Sequence, residues 1–313
     1  MRVGLLVTTY ERPDALARVL ASVEAQTRPP DCVVVADDGS GPATAAVVAA
    51  FAARSRAPVR HAWQPHDGFR AGPARNRGLR ELEADYALLV DGDMVLDREF
   101  VADHLRVARP GAWVQGCRLP LPPAASDAVL AGADPAGYAN DLDLRHRCQA
   151  VRRPRLAAAL APVSHRLLAV KACNQGFWIR DLRRVNGYDE RLVGWGAEDK
   201  ELCARLVHAG VRPRGLLYGA LAWHLHHPAA ARDGLAANLE RLGETRRSRR
   251  VRATAGLDRH EPNREPPPAL PRGARLDGRR HTWATKRAGW FSSGTARAPG
   301  TSKTCSPAGR TST

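Results

Sequence analysis

Two carboxylates stand one residue apart in YALLVDGDMVL, residues 86–96. The segment runs apolar from Tyr86 to Val90, places Asp91, Gly92 and Asp93 in succession, and turns apolar again at Met94. Charge at the end of a buried strand is costly unless something positive sits beside it. A pair of this kind has the oxygen donors for Mg2+ or Mn2+ and leaves coordination positions for substrate phosphates. Gly92 permits the tight turn between them. Taken alone, the triplet has a bland rival, a solvated turn after a strand. Two further clusters carry titratable groups. GWGAEDKEL sets Glu198 and Asp199 behind two glycines and a tryptophan, and HLHHP brings together His224, His226 and His227. Acidic residues in a first helical turn are favoured by the helix dipole whatever else they do. Neutral imidazole commonly joins carboxylates around Mn2+. If the histidines end a strand, the two-residue period puts His226 on the side of His224 and turns His227 away.

These side chains need a frame. VGLLV (residues 3–7) and CVVVA (residues 32–36) are the short unbroken apolar runs expected of strands buried on both faces. Between them Leu16, Val19, Leu20 and Val23 follow helical spacing, which gives a β-α-β unit. A helix from Thr44, a strand from Val59, a helix from Ala71 and a strand from Tyr86 continue the alternation. The prediction is an α/β fold with a Rossmann-like, mainly parallel sheet and helices on both faces. Ligands bind such sheets at the carboxyl ends of the strands. Thr8, Thr9, Tyr10, Asp37, Asp38, Asp91 and Asp93 are therefore expected in one site. Residues 118–165, rich in Pro and Gly at first and basic later, read as an irregular excursion with some helix over that site. Regular structure resumes with LLAVKACNQGFWIRD, a helix near 182–185, a helix beginning at Glu198, and a last strand from Leu216 that ends in the histidines.

The totals narrow the class. The 313 residues allow one large α/β domain with additions, or two modest ones, and the formal net charge is +16. Residues 261–313 hold ten Lys/Arg against three Asp/Glu, turn to Pro, Arg, Gly, Ser and Thr, and lose all periodicity, so a disordered basic tail is expected there. No zinc-knuckle spacing or basic heptad helix accompanies the charge, and no specific nucleic acid is expected as a partner. Phosphate-rich substrates or an anionic membrane surface suit the balance equally well. Six scattered cysteines without a CxxC pair point to a reduced, cytoplasmic compartment. The apolar run at the N-terminus is too short for a signal peptide, and no stretch has the apolar length a bilayer demands. A soluble chain, or one peripheral to the inner face of the membrane, is the expectation.

VTTYERPDALARVLASVEAQTRPPDCVVVADDGS, then DGFRAGPARNRGL, then LLVDGDM resemble the nucleotide-sugar half of family-two glycosyltransferases of the GT-A fold. NQGFWIRDLRRVNGYDERLVGWGAEDKEL resembles a segment shared with galactosyltransferase-type enzymes. The matched motifs occur in order over most of residues 1–260. The resemblance implies one GT-A domain, with residues 1–117 as the nucleotide-sugar-binding half and residues 118–260 as the acceptor-binding and catalytic half. It implies inverting transfer of a hexosyl group from a nucleoside diphosphate, UDP foremost, to an acceptor hydroxyl on a glycan or a lipid-linked sugar in bacterial surface-glycan synthesis. Thr8, Tyr10, Asp37 and Asp38 then surround the base and ribose, and Arg75 lines the donor pocket, where it reaches the diphosphate or shapes the site. Asp91 and Asp93 form the metal pair for Mn2+ or Mg2+, completed by His224. Asp199 is the base with Glu198 beside it, while Trp195, Gly196 and Asn174 face the substrate sugars.

Two rivals accompany this reading. A sugar nucleotidyltransferase would keep the nucleotide site but needs a glycine-rich early loop, which TTYERPD lacks. A basic protein that binds nucleic acid or membrane on an inactive scaffold would have no need of DGD, ED and the histidines together.

Overall fold

The computed structural model describes residues 1–228 and 231–259, and the expected tail from residue 261 lies outside these described residues. The first half alternates as the apolar pattern predicts: β1 (Val3–Thr9), α1 (Pro13–Glu24), β2 (Cys32–Asp37), α2 (Pro42–Arg54), β3 (Val59–Trp63), α3 (Ala71–Glu81) and β4 (Tyr86–Asp91). There follow β5 (Met94–Leu96), α4 (Phe100–Val107), β6 (Ala112–Gly116), β7 (Leu119–Pro120), α5 (Pro123–Leu130), α6 (Leu144–Gln149) and α7 (Pro154–Ser164). The chain closes with β8 (Asn174–Trp178), α8 (Ile179–Arg184), α9 (Glu198–His208), β9 (Arg212–Leu216), β10 (Ala222–His224) and α10 (Leu235–Ser248). Pro13, Pro42, Pro123 and Pro154 each open a helix, where a missing N–H costs nothing.

The main sheet has the order β3-β2-β1-β4-β8-β6-β9. Its first four strands are parallel, β8 runs antiparallel to both β4 and β6, and β6 and β9 are parallel. Successive residues of the central strands supply two separate cores, which is why these strands read as unbroken apolar runs. Leu5, Val7, Val33 and Val35 pack with Leu16, Val19 and Leu20 on one face. Leu6, Val34 and Leu89 pack with Leu79, Leu202 and Leu206 on the other. A small second sheet, β5-β10-β7, stands beside the carboxyl end of β4.

Two expectations change here. The excursion after residue 118 is largely helical, with α5, α6 and α7 in it, and α7 lays the small side chains Ala157 and Ala161 against the sheet. The single last strand from Leu216 is two strands. β9 ends at Leu216 on the edge of the main sheet, and Tyr218 and Ala220, with φ of 65° and 44°, turn the chain into β10 of the small sheet. No helix among the described residues is long and apolar enough to cross a membrane.

Candidate active site

The pairing of β5 with β10 builds the first half of the site. Gly92 turns the chain after β4, its N–H donating to the Thr8 carbonyl at 2.7 Å. A Cβ at this position would come within 3.0 Å of that carbonyl. Met94 then pairs antiparallel with His224, so the residue before β5 faces the end of β10. Nε2 of His224 lies 3.6 Å and Nε2 of His227 3.3 Å from Oδ2 of Asp93, with Arg12 at 3.7 Å from the same oxygen. Burial holds the His224 imidazole down at about 4, with Asp93 pulling it up and Arg118 adding to the depression. A neutral imidazole is the form that ligates a metal. Oδ1 of Asp93 is buried without a hydrogen-bond partner, and ligand atoms of Asp93, His224 and His227 all lie within 4.8 Å of one another. This donor set, two imidazoles beside a carboxylate whose second oxygen is orphaned, fits a divalent cation such as Mn2+ or Mg2+.

Two of the expected metal contacts are redistributed. Asp91 is outside the cluster: its Oδ1 accepts from Arg75 Nη2 at 2.9 Å. His227, not His226, joins His224. The strand ends at His224, Leu225 N donates to the Asp93 carbonyl, and His226 N donates to Ser126 Oγ, so strand alternation no longer applies.

Arg75 ties this half to the second. It is 4% exposed on α3, its guanidinium packs 5.4 Å over the Tyr188 ring, and its Nη1 donates to Glu198 Oε1 at 3.2 Å. Its hydrogen bonds thus go to the carboxylates of Asp91 and Glu198. The segment before α9 is held open by left-handed backbone at Gly194, Gly196 and Ala197, with φ of 80°, 103° and 73°. From α10, Asn238 Nδ2 donates to the carbonyls of Val193 and Gly196, each at 3.0 Å. Neither α10 nor Asn238 was legible from the motifs. Trp195 is half exposed, with the Arg232 guanidinium 5.1 Å from its ring centroid. Burial, and then the neighbouring Glu198 charge, push the Asp199 carboxyl up to about 7, although Lys200 N donates to its Oδ1. Glu198 Oε2 is buried and unpartnered.

At the β1 and β2 ends the candidates divide. Thr8 Oγ1 is buried without a partner, and Thr8 pairs with Asp91 across the strands. Tyr10 is exposed, its ring stacked on His66 at 4.4 Å. Asp38 accepts from Gln64 Nε2 and from Arg70 N, both at 2.7 Å, and burial raises its pKa. Asp37 is fully buried, accepts from Ser40 N and pairs with His61 at 2.8 Å. It braces the turn after β2 rather than facing a ligand. Asn174, expected at the substrate, is also fully buried: it donates to the carbonyls of Cys117 and Ala220 and bonds His104 Nε2 at 2.8 Å. These bonds lock β8 to its neighbours.

Residues 5–118 match the family model for glycosyl transferase family 2, and residues 157–227 match the model for the N-terminal domain of galactosyltransferase. The chain is 29% identical over 222 residues to validoxylamine A glucosyltransferase of Streptomyces hygroscopicus subsp. limoneus, covering 66% of this chain and 48% of that protein. It is 28% identical over 257 residues to hyaluronan synthase of Pasteurella multocida, covering 72% of this chain and 24% of that one. The chain thus spans about half or less of the curated relatives it matches. Among solved structures, S. aureus TarS 1-349 in complex with UDP superposes with a TM-score of 0.55 at 16% identity, over 78% of this chain and 65% of that one. That likeness shows the fold, GT-A.

Proposed function

We propose that this protein transfers a hexosyl group from a nucleoside diphosphate donor, UDP foremost, to an acceptor hydroxyl with inversion at the anomeric carbon. One observation carries the reading. A single buried guanidinium, Arg75, hydrogen-bonds Asp91 of the DGD turn and Glu198 of the ED pair, so the two motifs that matter most share one site. The family match over residues 5–118 and the likeness to a UDP-bound TarS fold agree with it. In this reading residues 1–117 form the donor half and residues 118–260 the acceptor and catalytic half of one domain.

Asp93, His224 and His227 would hold the divalent cation. When bound, that cation neutralises the donor diphosphate and stabilises its departure. Thr8, Tyr10 and Asp38 stand at the strand ends to receive the nucleoside, with the Tyr10 ring as a stacking surface and the Asp38 carboxylate as an acceptor for an imide N–H. Trp195 offers an apolar face to a sugar ring. Asp199 takes the proton of the acceptor hydroxyl as its oxygen attacks the anomeric carbon from the face opposite the leaving group. A carboxyl held near 7 is poised for that role: enough is ionised at neutral pH, and it is more basic than a solvated aspartate. Arg75 keeps Asp91 and Glu198 fixed through the step. A glycan or lipid-linked acceptor, taken from the surface-glycan pathway of a bacterium by a chain in peripheral contact with the membrane, fits the basic balance.

The test is a panel of nucleoside diphosphate sugars offered with and without Mn2+, read by thermal unfolding and by release of the nucleoside diphosphate. One donor should raise the melting temperature only when Mn2+ is present, and should then be cleaved. A panel in which no donor stabilises the protein overturns the reading.

A further inference from the structure

Across the sheet, the proposed donor residues occupy one side. Asp38 follows β2, Thr8 and Tyr10 close β1, and Asp91 and Asp93 close β4. Beyond β4, at the same edge, lie the start of β8 and the end of β6, because Val90 pairs antiparallel with Asn174 and Gln115 with Gln175. Residues 171–173 and 117–118 therefore stand on the far side of the metal-binding carboxylate from the nucleoside residues. In the proposed transfer this is the side left for the acceptor.

Two cations sit there without an acid. Lys171 is fixed by Gln115, whose Oε1 accepts from Lys171 N and whose Nε2 donates to the Lys171 carbonyl, each at 3.2 Å. The same Gln115 accepts from Gln175 Nε2, which also reaches Cys203 Sγ on α9, one turn past Asp199. Lys171 and Asp199 are thus mounted on one scaffold. Arg118 immediately precedes β7, which pairs with Trp223 and His224. Its Nε is buried and unpartnered. The site's ion pairs use Arg12 and Arg75, and no carboxylate of the described residues pairs with Arg118 or Lys171. Burial first, then the Arg118 charge, lower the Lys171 pKa, while Asp199 opposes them. Two half-buried cations that repel each other, with the Asp199 charge but no paired carboxylate against them, are a cost that an anion beside them relieves. The surrounding chain has the same bias: residues 144–180 hold eight Lys/Arg and no Asp or Glu.

We propose that Arg118 and Lys171 form an oxyanion subsite for an acceptor bearing a phosphoryl or carboxylate group, placed beside the hydroxyl that attacks the donor. The proposal rests on the glycosyltransferase reading and gives its acceptor a chemical class. In the full chain saturated with UDP and Mg2+, isothermal titration with inorganic phosphate, and in a separate arm with acetate, distinguishes the two anions. At least one should bind with a millimolar Kd. Lys171→Met and Arg118→Gln should each weaken that binding at least tenfold, Lys171→Arg should retain it, and the Kd for UDP should stay within twofold. Competition between the anion and UDP, or equal loss of both affinities, would assign the cations to the donor diphosphate and overturn the proposal. Unchanged anion affinity in the variants, or no binding of either anion, overturns it too. If the wild type binds no nucleotide, the donor reading fails by itself, and titration into the free protein still decides whether the pair holds an anion.

Discussion

Asp199 lies in the first turn of α9, where the helix dipole and the Lys200 N–H both favour its charged form, yet its carboxyl is held at about 7. Exclusion of water and the Glu198 charge outweigh both. At saturating donor the rate should rise with pH through an apparent pKa near 7. Glu198→Gln removes a like charge, lowers the Asp199 pKa and moves the ascending limb to lower pH, which steady-state rates between about pH 5.5 and 9 would record. A limb that stayed in place would deny Glu198 that influence. Asp199→Asn should lower kcat by about 10²-fold or more and leave the nucleotide Kd nearly unchanged. Its stability should move the other way. A carboxyl whose folded pKa is raised loses stabilising free energy as pH climbs from its ordinary value of 3.8 toward 7, so the amide should melt a few degrees higher at pH 8. At the proposed metal cluster, Asp93→Asn keeps the shape of the side chain but removes its charge. Mn2+ affinity measured by calorimetry should fall at least tenfold, with the far-ultraviolet circular dichroism unchanged.

At the scale of elements, the site depends on short pieces that do not stabilise themselves. Asn238 of α10 satisfies two carbonyls in the GWG segment, and removing it leaves both unpaired at a cost of about 1–3 kcal/mol. Asn238→Ala should therefore cut transfer about tenfold while the thermal shift given by nucleotide persists. A parallel loss of both would mean general destabilisation instead. The sequence displays β1, β2 and β4 plainly because each is buried on two faces and needs no partner to be recognised. β10 and β7 are three and two residues long and exist through their pairing with each other and with β5, a long-range cause with no local signal. For the same reason His227 escaped the strand period: the chain leaves the sheet after His224. Asn174 misled in the opposite direction. A polar residue at a strand start looks available to substrate until its partner His104, 70 positions away, takes its oxygen. Asp37 and Asp38 are neighbours of one type, and only tertiary contacts with His61 on one side and Gln64 on the other separate brace from candidate contact.

For the whole molecule, the parallel strands β1 to β4 and the later elements β6 to α10 meet along β4 and β8, and Arg75 pins the seam at the level of the chemistry. Its worth lies in what its absence would leave. Asp91 and Glu198 would face each other with no cation between them, and breaking a buried ionic arrangement in this way costs about 3–5 kcal/mol. Arg75→Met should accordingly lower the melting temperature at pH 8 by on the order of 10 °C. The pH dependence follows from the sign of the shifts. Burial already raises the Asp91 carboxyl and the guanidinium opposes that rise, so without Arg75 it titrates higher still in the folded protein, and the penalty is full at alkaline pH and shrinks as acid protonates it. The deficit relative to wild type should therefore be smaller at pH 5 than at pH 8. Adding Glu198→Gln to Arg75→Met should restore part of the lost stability, because the two changes act on one network and are not additive. A deficit equal at both pH values, with purely additive effects, would mean that Arg75 contributes through its packing over Tyr188 rather than by joining Asp91 to Glu198.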